Sequence, residues 1–258
     1  MAAKVWAAVL LGTMVAWPVL ADWNPGDPQK MHFPQLPNPQ GWDVSMTDHG
    51  TDQLWLADDW MCTETGPVSN LHLWFSWLDD FPSYITVLRA RIYADNPFSP
   101  PNYSRPGELL WEREFLPGEF DIRVYGESPQ GWYDPENNVS IWPDHYLYYQ
   151  LNLEGIDQPF IQELGTVYWL AVSADVYEPD PPADGFAVGW KTSLNHYRDT
   201  AVWAYVPPGG TPTWNQLHDP LYTNEFLELA FVITPEPASL LTLGLSIALV
   251  AGRAARRG

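Results

Sequence analysis

"LHLWFSW", residues 71–77, alternates its side chains with a period of two. One set of alternate positions is wholly apolar: Leu71, Leu73, Phe75 and Trp77. Because successive side chains of a strand point to opposite faces, this pattern indicates a β-strand with one face in a core. Residues 84–94, "YITVLRARIYA", repeat it, with Leu88, Ala90 and Ile92 set against Arg89 and Arg91. Both stretches therefore predict strands.

Five further segments have the same character and are bounded by Pro, Gly, Asn or Asp. They are "YLYYQLNL" from Tyr146, "TVYWLAVSA" from Thr166, "GFAVGWKTS" from Gly185, "TAVWAYV" from Thr200 and "FLELAFVI" from Phe226. Seven or more strands predict an all-β fold, a single antiparallel β-sandwich over residues 41–233, for which jelly-roll order is one topology. A Pro-rich N-terminal arm, residues 22–40, precedes it. Long Pro-rich loops such as "DNPFSPPNYSRPGE" and "YEPDPPADG" connect the strands.

The composition agrees with a folded, loop-rich protein. Of 258 residues, 15% are aromatic and 17% are charged, with 26 Pro and 18 Gly. That is too apolar for a disordered chain and too rich in Pro for a helical one. Length alone allows one large domain or two small ones.

The first 21 residues predict a secretory signal helix. Lys4 precedes the apolar stretch "VWAAVLLGTMVAWPVLA", and Val19 and Ala21 are small residues placed for cleavage after Ala21 by signal peptidase. A buried N-terminal helix is the alternative. The single cysteine, Cys62, excludes a disulfide within the chain and is expected to be a buried small hydrophobe.

Residues 234–258 differ from the rest of the chain. A Pro-Glu-Pro element leads into 14 uncharged residues, 238–251, and then into three arginines. The apolar run is shorter than the roughly 20 residues of a stable membrane-spanning helix. Since positive charge is retained on the cytoplasmic side, the preceding domain would face outward. An ordinary packed C-terminal helix is the alternative.

This tail resembles the PEP-CTERM sorting signal of exported Gram-negative bacterial proteins, with Pro235, Glu236 and Pro237 as its motif. The resemblance implies cutting near the motif by an exosortase-type membrane protease. It also implies only transient membrane contact, and a final location at the cell surface, in the extracellular matrix or in the medium. The transient anchor would be a short apolar helix and its arginines: Leu240, Leu241, Leu243, Leu245, Ile247, Leu249, Val250, Arg253, Arg256 and Arg257.

The preceding domain resembles an uncharacterised Trp-rich extracellular domain of bacterial surface proteins that carry this tail. The similar blocks are "LADDWMCTETGPVSNLHLW", "SRPGELLWEREF", "QGWYDP", "GTVYWLAVSA", "GWKTSLNHYRDTAVW" and "LELAFVITPEP". They span most of residues 42–237. The resemblance implies fold and location and no activity.

Charge narrows the choice of partners. Residues 22–237 hold all 32 acidic residues but only 8 basic ones, a formal net charge of −24. Such a surface repels nucleic acid and anionic lipid. Neither class is expected as a partner.

Few residues suggest catalysis. The chain has neither the Gly-x-Ser-x-Gly motif of serine hydrolases nor the His-Glu-x-x-His motif of zinc proteases. Glu112 and Glu114 share one strand face and would be one way to begin a glycosidase site, although Arg113 lies between them. We expect a non-catalytic protein, with a secreted carbohydrate-active enzyme as the alternative.

Two kinds of binding site are suggested. The loops "LADDW" and "WLDDF" carry hard oxygen ligands for calcium, at Asp58, Asp59, Asp79 and Asp80. Neither loop has the sequence motif of a calcium-binding loop. His145, His196 and His218 would form a metal site only if the fold brought them together.

The second kind of site is aromatic. Flat rings in turn-rich sequence can stack on sugars beside polar groups, or can simply pack the core. The candidates are Trp132, Tyr133, Trp142 and Tyr146. The sequence therefore predicts an exported surface or matrix protein that binds polysaccharide or another envelope component.

Overall fold

Strands dominate the computed structural model, which describes residues 22–48, 52–97, 103–177 and 186–235. Within those ranges the one helical element is a 3-10 turn, Leu78–Asp80. The all-β prediction is confirmed. The strands are β1 (Trp42–Ser45), β2 (Gln53–Met61), β3 (Gly66–Pro67), β4 (Asn70–Trp77), β5 (Ile85–Asn96), β6 (Arg105–Phe115), β7 (Asp121–Asp134), β8 (Val139–Leu153), β9 (Ile161–Gln162), β10 (Val167–Val176), β11 (Val188–Ser193), β12 (Val202–Val206), β13 (Asn215–Gln216), β14 (Glu228–Leu229) and β15 (Phe231–Thr234).

The strands form two large sheets and one small one. The seven-stranded sheet has the order β14-β11-β1-β7-β8-β4-β15, the six-stranded sheet β13-β12-β2-β10-β5-β6, and β3 pairs with β9. The pairings are antiparallel except for β1 with β7, which run parallel with Trp42 beside Gly131. The expectation of a purely antiparallel fold is wrong at this pair, because β1 enters the sheet between two strands far away in sequence.

The seven-stranded sheet closes on itself. Strand β11 pairs with β1 through Lys191 and Asp43, and also with β4 through Val188 and Trp77. Strands β11, β1, β7, β8 and β4 therefore make a ring in which each is hydrogen-bonded to two others. Closure of this kind removes exposed strand edges.

One buried cluster takes side chains from both large sheets. Val44, Leu73 and Trp190 reach it from the seven-stranded sheet, and Leu56 and Leu170 from the six-stranded sheet. Full burial of each such side chain contributes roughly 1.5–3 kcal/mol. A smaller cluster with Trp55 and Trp169 also involves the six-stranded sheet.

All seven segments predicted as strands are strands, with "FLELAFVI" divided at Ala230 into β14 and β15. Strand β2 was expected as a loop, but it is buried along almost its whole length and so lacks alternation. Strand β7 was also missed. The loop "DNPFSPPNYSRPGE" is shorter than expected, because β6 already begins at Arg105.

The N-terminal arm lies against the sheets. Trp23 is buried, with its ring edge-on to Trp74 at 5.8 Å between centroids. Bridges join Met31 to Cys62 and Gln35 to Phe231. The arm thus covers the outer edge of β15.

Cys62 is buried, as expected, and its thiol donates to the Glu64 carbonyl at 3.2 Å. The signal segment 1–21 with Ala21, and the tail 236–258, lie outside the described residues. Across the described ranges, no helix is long and apolar enough to cross a bilayer.

Candidate ligand-binding face on the β7–β8 hairpin

Strands β7 and β8 form a long hairpin that carries all four predicted aromatic residues. Its turn is held by Asp134, whose carboxylate accepts the backbone N–H groups of Glu136 at 3.0 Å and Asn137 at 3.2 Å. Register shifts interrupt the pairing between Glu127 and Gln130 and between Gln130 and Trp132. Such bulges bend a strand and redirect its side chains.

The four aromatic residues divide into two pairs. Trp142 and Tyr146 on β8 are 47% and 46% exposed, whereas Trp132 and Tyr133 on β7 are 4% and 7% exposed. The prediction that Trp132 and Tyr133 bind sugar is wrong, since buried rings cannot stack on a ligand. Trp142 and Tyr146 keep their rings accessible, and we call them the aromatic face.

Trp142 is held against a second tryptophan. The Trp42 ring lies edge-on to it, with centroids 5.4 Å apart and planes at 68°. Trp42 is fixed in turn, because its indole N–H donates to Asp219 at 3.0 Å. Gly131 allows this approach: a Cβ there would lie 2.4 Å from both rings. The exposed indole is therefore preorganised.

A buried polar network includes Asp144 and His145, which lie between Trp142 and Tyr146 in the chain. His145 contacts Asp144 through Nδ1 at 2.8 Å and Asp43 through Nε2 at 2.9 Å. The ammonium of Lys191 lies 3.0 Å from the same Asp43 oxygen and also donates to Gln130. The network crosses four strands of the ring, β8, β1, β11 and β7, and fixes this part of β8 in place.

Charges in the network stabilise one another despite burial. Burial disfavours a charged imidazole, but hydrogen bonds to Asp144 and Asp43 raise the pKa of His145 to about 9. Burial likewise opposes charge on Asp43, yet the charge of Lys191 and the contact with His145 hold the Asp43 pKa below its usual value. Burial lowers the Lys191 pKa, against the attraction of Asp43. A buried pair of this kind is costly to break by removing one partner.

Of the two calcium ligands proposed in "WLDDF", Asp80 has another role. The Asp80 carboxylate accepts backbone N–H groups of Tyr146 at 2.8 Å and Leu147 at 2.9 Å. The backbone N–H of Asp79 donates to Asp144 at 2.9 Å. Both contacts tie the 3-10 turn to the part of β8 that carries Tyr146.

Asp58 and Asp59 are not loop carboxylates, as had been expected, but buried residues of β2. Asp58 accepts hydrogen bonds from Gln35 at 2.8 Å and from the Leu229 N–H at 2.6 Å. Burial raises the pKa of Asp58 to about 7 and that of Asp59 to about 10. In the part of the chain that the structure describes, no three His, Cys, Asp or Glu side chains form a group that could hold a metal ion.

The three histidines that would have to converge each have separate surroundings. His145 belongs to the buried network, His196 contacts Glu228, and His218 lies beside the Phe226 ring at 4.8 Å. The structure places no pair of them in contact.

Glu112 and Glu114 do share one face of β6, as predicted, but each is paired with an arginine. Arg91 donates to Glu112 at 3.2 Å and Arg89 to Glu114 at 2.9 Å. Both carboxylates are therefore engaged in ion pairs across the sheet.

The comparison with known proteins gives a family. A family model described as a domain of unknown function, DUF7901, matches residues 31–234, which is most of the chain. The chain belongs to the DUF7901 family. No curated protein and no solved structure gives a significant match.

In this DUF7901 domain, the buried partners of the aromatic face were missed from sequence. Lys191 is the one charged residue in the fully buried strand β11, and Asp43 lies opposite it in the register with β1. A charged residue inside an apolar run was the available signal. Its partner could not be read from sequence, because the two are 148 residues apart.

Proposed function

We propose that this protein is a non-catalytic, exported protein of the cell surface or extracellular matrix that binds polysaccharide through the aromatic face. The observation that carries the proposal is the exposed Trp142 ring, braced by Trp42 and close in sequence to the exposed Tyr146. Rigid, half-exposed aromatic rings supply contact area at little entropic cost. A sugar ring has an apolar face that matches such a surface.

The form of the surface favours binding over catalysis. Two grooves of about 240 and 230 Å³ are partly open to solvent, and neither includes Trp142. Catalytic sites usually enclose the ligand and exclude water. This supports a binding module.

A carbohydrate-active enzyme is the second candidate, and one observation favours it. Glu228 and Asp59 are carboxyl groups whose pKa values burial raises to about 12 and about 10, so both stay protonated at neutral pH. Protonated carboxyls are what a general acid requires. Release of reducing sugars from any polysaccharide that binds would establish this alternative.

We also infer export and sorting through the two ends of the chain. Support comes from the signal-like residues 1–21 and from Pro235, Glu236 and Pro237, which follow strand β15 directly. Signal peptidase and an exosortase-type protease are the proposed processing partners, with membrane contact through short helices that are later removed. The final location would be the surface, matrix or medium of a Gram-negative bacterium.

Intact mass of the protein recovered from its host tests this processing. The expected mass lacks residues 1–21 and the residues after Pro237, whereas Glu236→Ala keeps the tail. Recovery of wild-type protein that still contains Arg256 and Arg257 would contradict it.

We further infer that the two large sheets face each other as a single sandwich. The core cluster with residues from both sheets supports this arrangement. The closed ring of five strands would then be one half of the sandwich.

Affinity electrophoresis in native gels with soluble polysaccharides tests the binding site. Trp142→Ala should lower the affinity for the retarding polysaccharide about tenfold, which corresponds to roughly 1.4 kcal/mol of lost binding free energy. Tyr84→Ala is the matched control, because Tyr84 is a largely exposed aromatic residue outside the hairpin. Equal retardation of wild type and Trp142→Ala would remove the aromatic face as the binding site.

A further inference from the structure

We propose a second polysaccharide-binding surface on the six-stranded sheet, with an uncharged polysaccharide chain as its ligand. It rests on the proposed function in that both surfaces would contact the same class of polymer. The site is the groove across β2, β5 and β6, which we call the arginine groove. Its lining residues are Gln53, Trp55, Arg89, Ala90, Arg91, Glu112, Arg113 and Glu114.

Two cross-strand ion pairs line the arginine groove. In the register of β5 with β6, Arg89 is opposite Glu114 and Arg91 is opposite Glu112. The pairs are 2.9 and 3.2 Å long. Being two residues apart, they repeat at roughly 7 Å along the strands.

Arg89 and Arg91 are held in place by further contacts. Arg89 also contacts Asp48 and Asp175, each at 2.6 Å, and these carboxylates raise its pKa against the effect of burial. The Arg91 guanidinium lies 4.1 Å above the centre of the Trp55 ring. Donors fixed in this way lose little freedom when they bind a ligand.

Each ion pair leaves acceptors free for a ligand, because a carboxylate has about four lone-pair sites and one hydrogen bond leaves most of them open. Arg91 is the main donor, since it has five N–H groups and pairs with Glu112 through Nε, whereas Nε, Nη1 and Nη2 of Arg89 already contact three carboxylates. Glu112 and Glu114 are largely exposed. Neighbouring hydroxyl groups of a sugar both donate and accept, and they match this mixed surface.

Charge selects against polyanions. Glu112 and Glu114, together with the net charge of −24 over residues 22–237, repel a polyanion. An uncharged, hydroxyl-rich polymer does not meet this repulsion.

The shape of the surface suits a chain. The arginine groove is partly open to solvent and crosses three strands, β2, β5 and β6. A small ligand would instead favour an enclosed pocket.

The test is affinity electrophoresis of the full protein with a soluble β-glucan, an α-mannan and alginate as probes. The double variant Glu112→Ala/Glu114→Ala should bind the retarding glucan or mannan about tenfold more weakly than wild type. Exposed ion pairs add little stability, so the variant should fold. The matched control is Glu127→Ala/Glu163→Ala, which removes two exposed carboxylates elsewhere and should bind normally.

Other outcomes overturn the proposal in distinguishable ways. Normal binding by Glu112→Ala/Glu114→Ala with loss in Trp142→Ala would refute the arginine groove and leave the aromatic face standing. The reverse result would support the groove and refute the aromatic face. Retardation by alginate alone would refute an uncharged ligand, and no retardation of wild type by any probe would refute both surfaces.

Discussion

Asp59 is the least satisfied polar residue of the described core. Its side chain is completely buried, and neither carboxyl oxygen has a hydrogen-bond partner within the described residues. Burial first, and then the negative charge of Asp58, raise its pKa to about 10. Burial and then the charges of Asp58 and Asp59 raise the pKa of Glu228 as well, so three acidic groups share one small region. The folded state therefore holds protons that the unfolded chain releases.

This proton retention predicts a stability that falls with pH. An unfolded aspartic acid ionises near pH 4, whereas folded Asp59 stays protonated up to about pH 10. The contribution of protonated Asp59 to the free energy of unfolding is therefore fully present only below about pH 4. It is lost at about 1.4 kcal/mol per pH unit as the pH rises toward 10. In urea unfolding between pH 5 and 8, Asp59→Asn should make the free energy of unfolding fall less steeply with pH, by about 1.4 kcal/mol per pH unit.

Exposed Asp121→Asn is the control for this measurement and should leave the slope unchanged. If Asp59→Asn unfolds with the wild-type pH dependence, Asp59 does not hold its proton in the folded state.

At the scale of elements, whether a strand can be predicted from the sequence depends on whether one of its faces or both are buried. Strands such as β5 were readable because one face meets the core and the other carries Arg89 and Arg91. Strand β2 has apolar and acidic residues buried on both faces, so period two disappears. In β7, bulges bury Gln130, Gly131, Trp132 and Tyr133 in succession, which no alternating pattern predicts.

The candidate site was half predictable for the same reason. Sequence identified Trp142 and Tyr146 as aromatic residues near turns, but it did not distinguish them from Trp132 and Tyr133. Which of these rings are exposed depends on the bulges of β7 and on Trp42, which belongs to a strand about 100 residues away in sequence. Long-range pairing of this kind is decided by the fold.

The ring of five strands and the N-terminal arm both cover strand edges that would otherwise be exposed. A sheet edge with free N–H and C=O groups invites pairing with another chain. The ring leaves none of its five strands with an unpaired side. Among the described strands, β15 pairs with β4 alone. Its other side is met by the arm, through Lys30 N–H to Ile233 O at 2.8 Å and Gln35 N–H to Phe231 O at 3.1 Å.

Removal of the arm should therefore cause association as well as instability. A chain that begins at residue 37 loses the two hydrogen bonds to β15 and the buried Trp23, and exposes an apolar strand edge. We expect oligomers or aggregates by static light scattering. Trp23→Ala in the chain that begins at residue 22 is the control, because it keeps the edge covered. That variant should lose about 3–5 kcal/mol of stability and remain monomeric. A monomeric truncated chain would show that the arm does not protect β15.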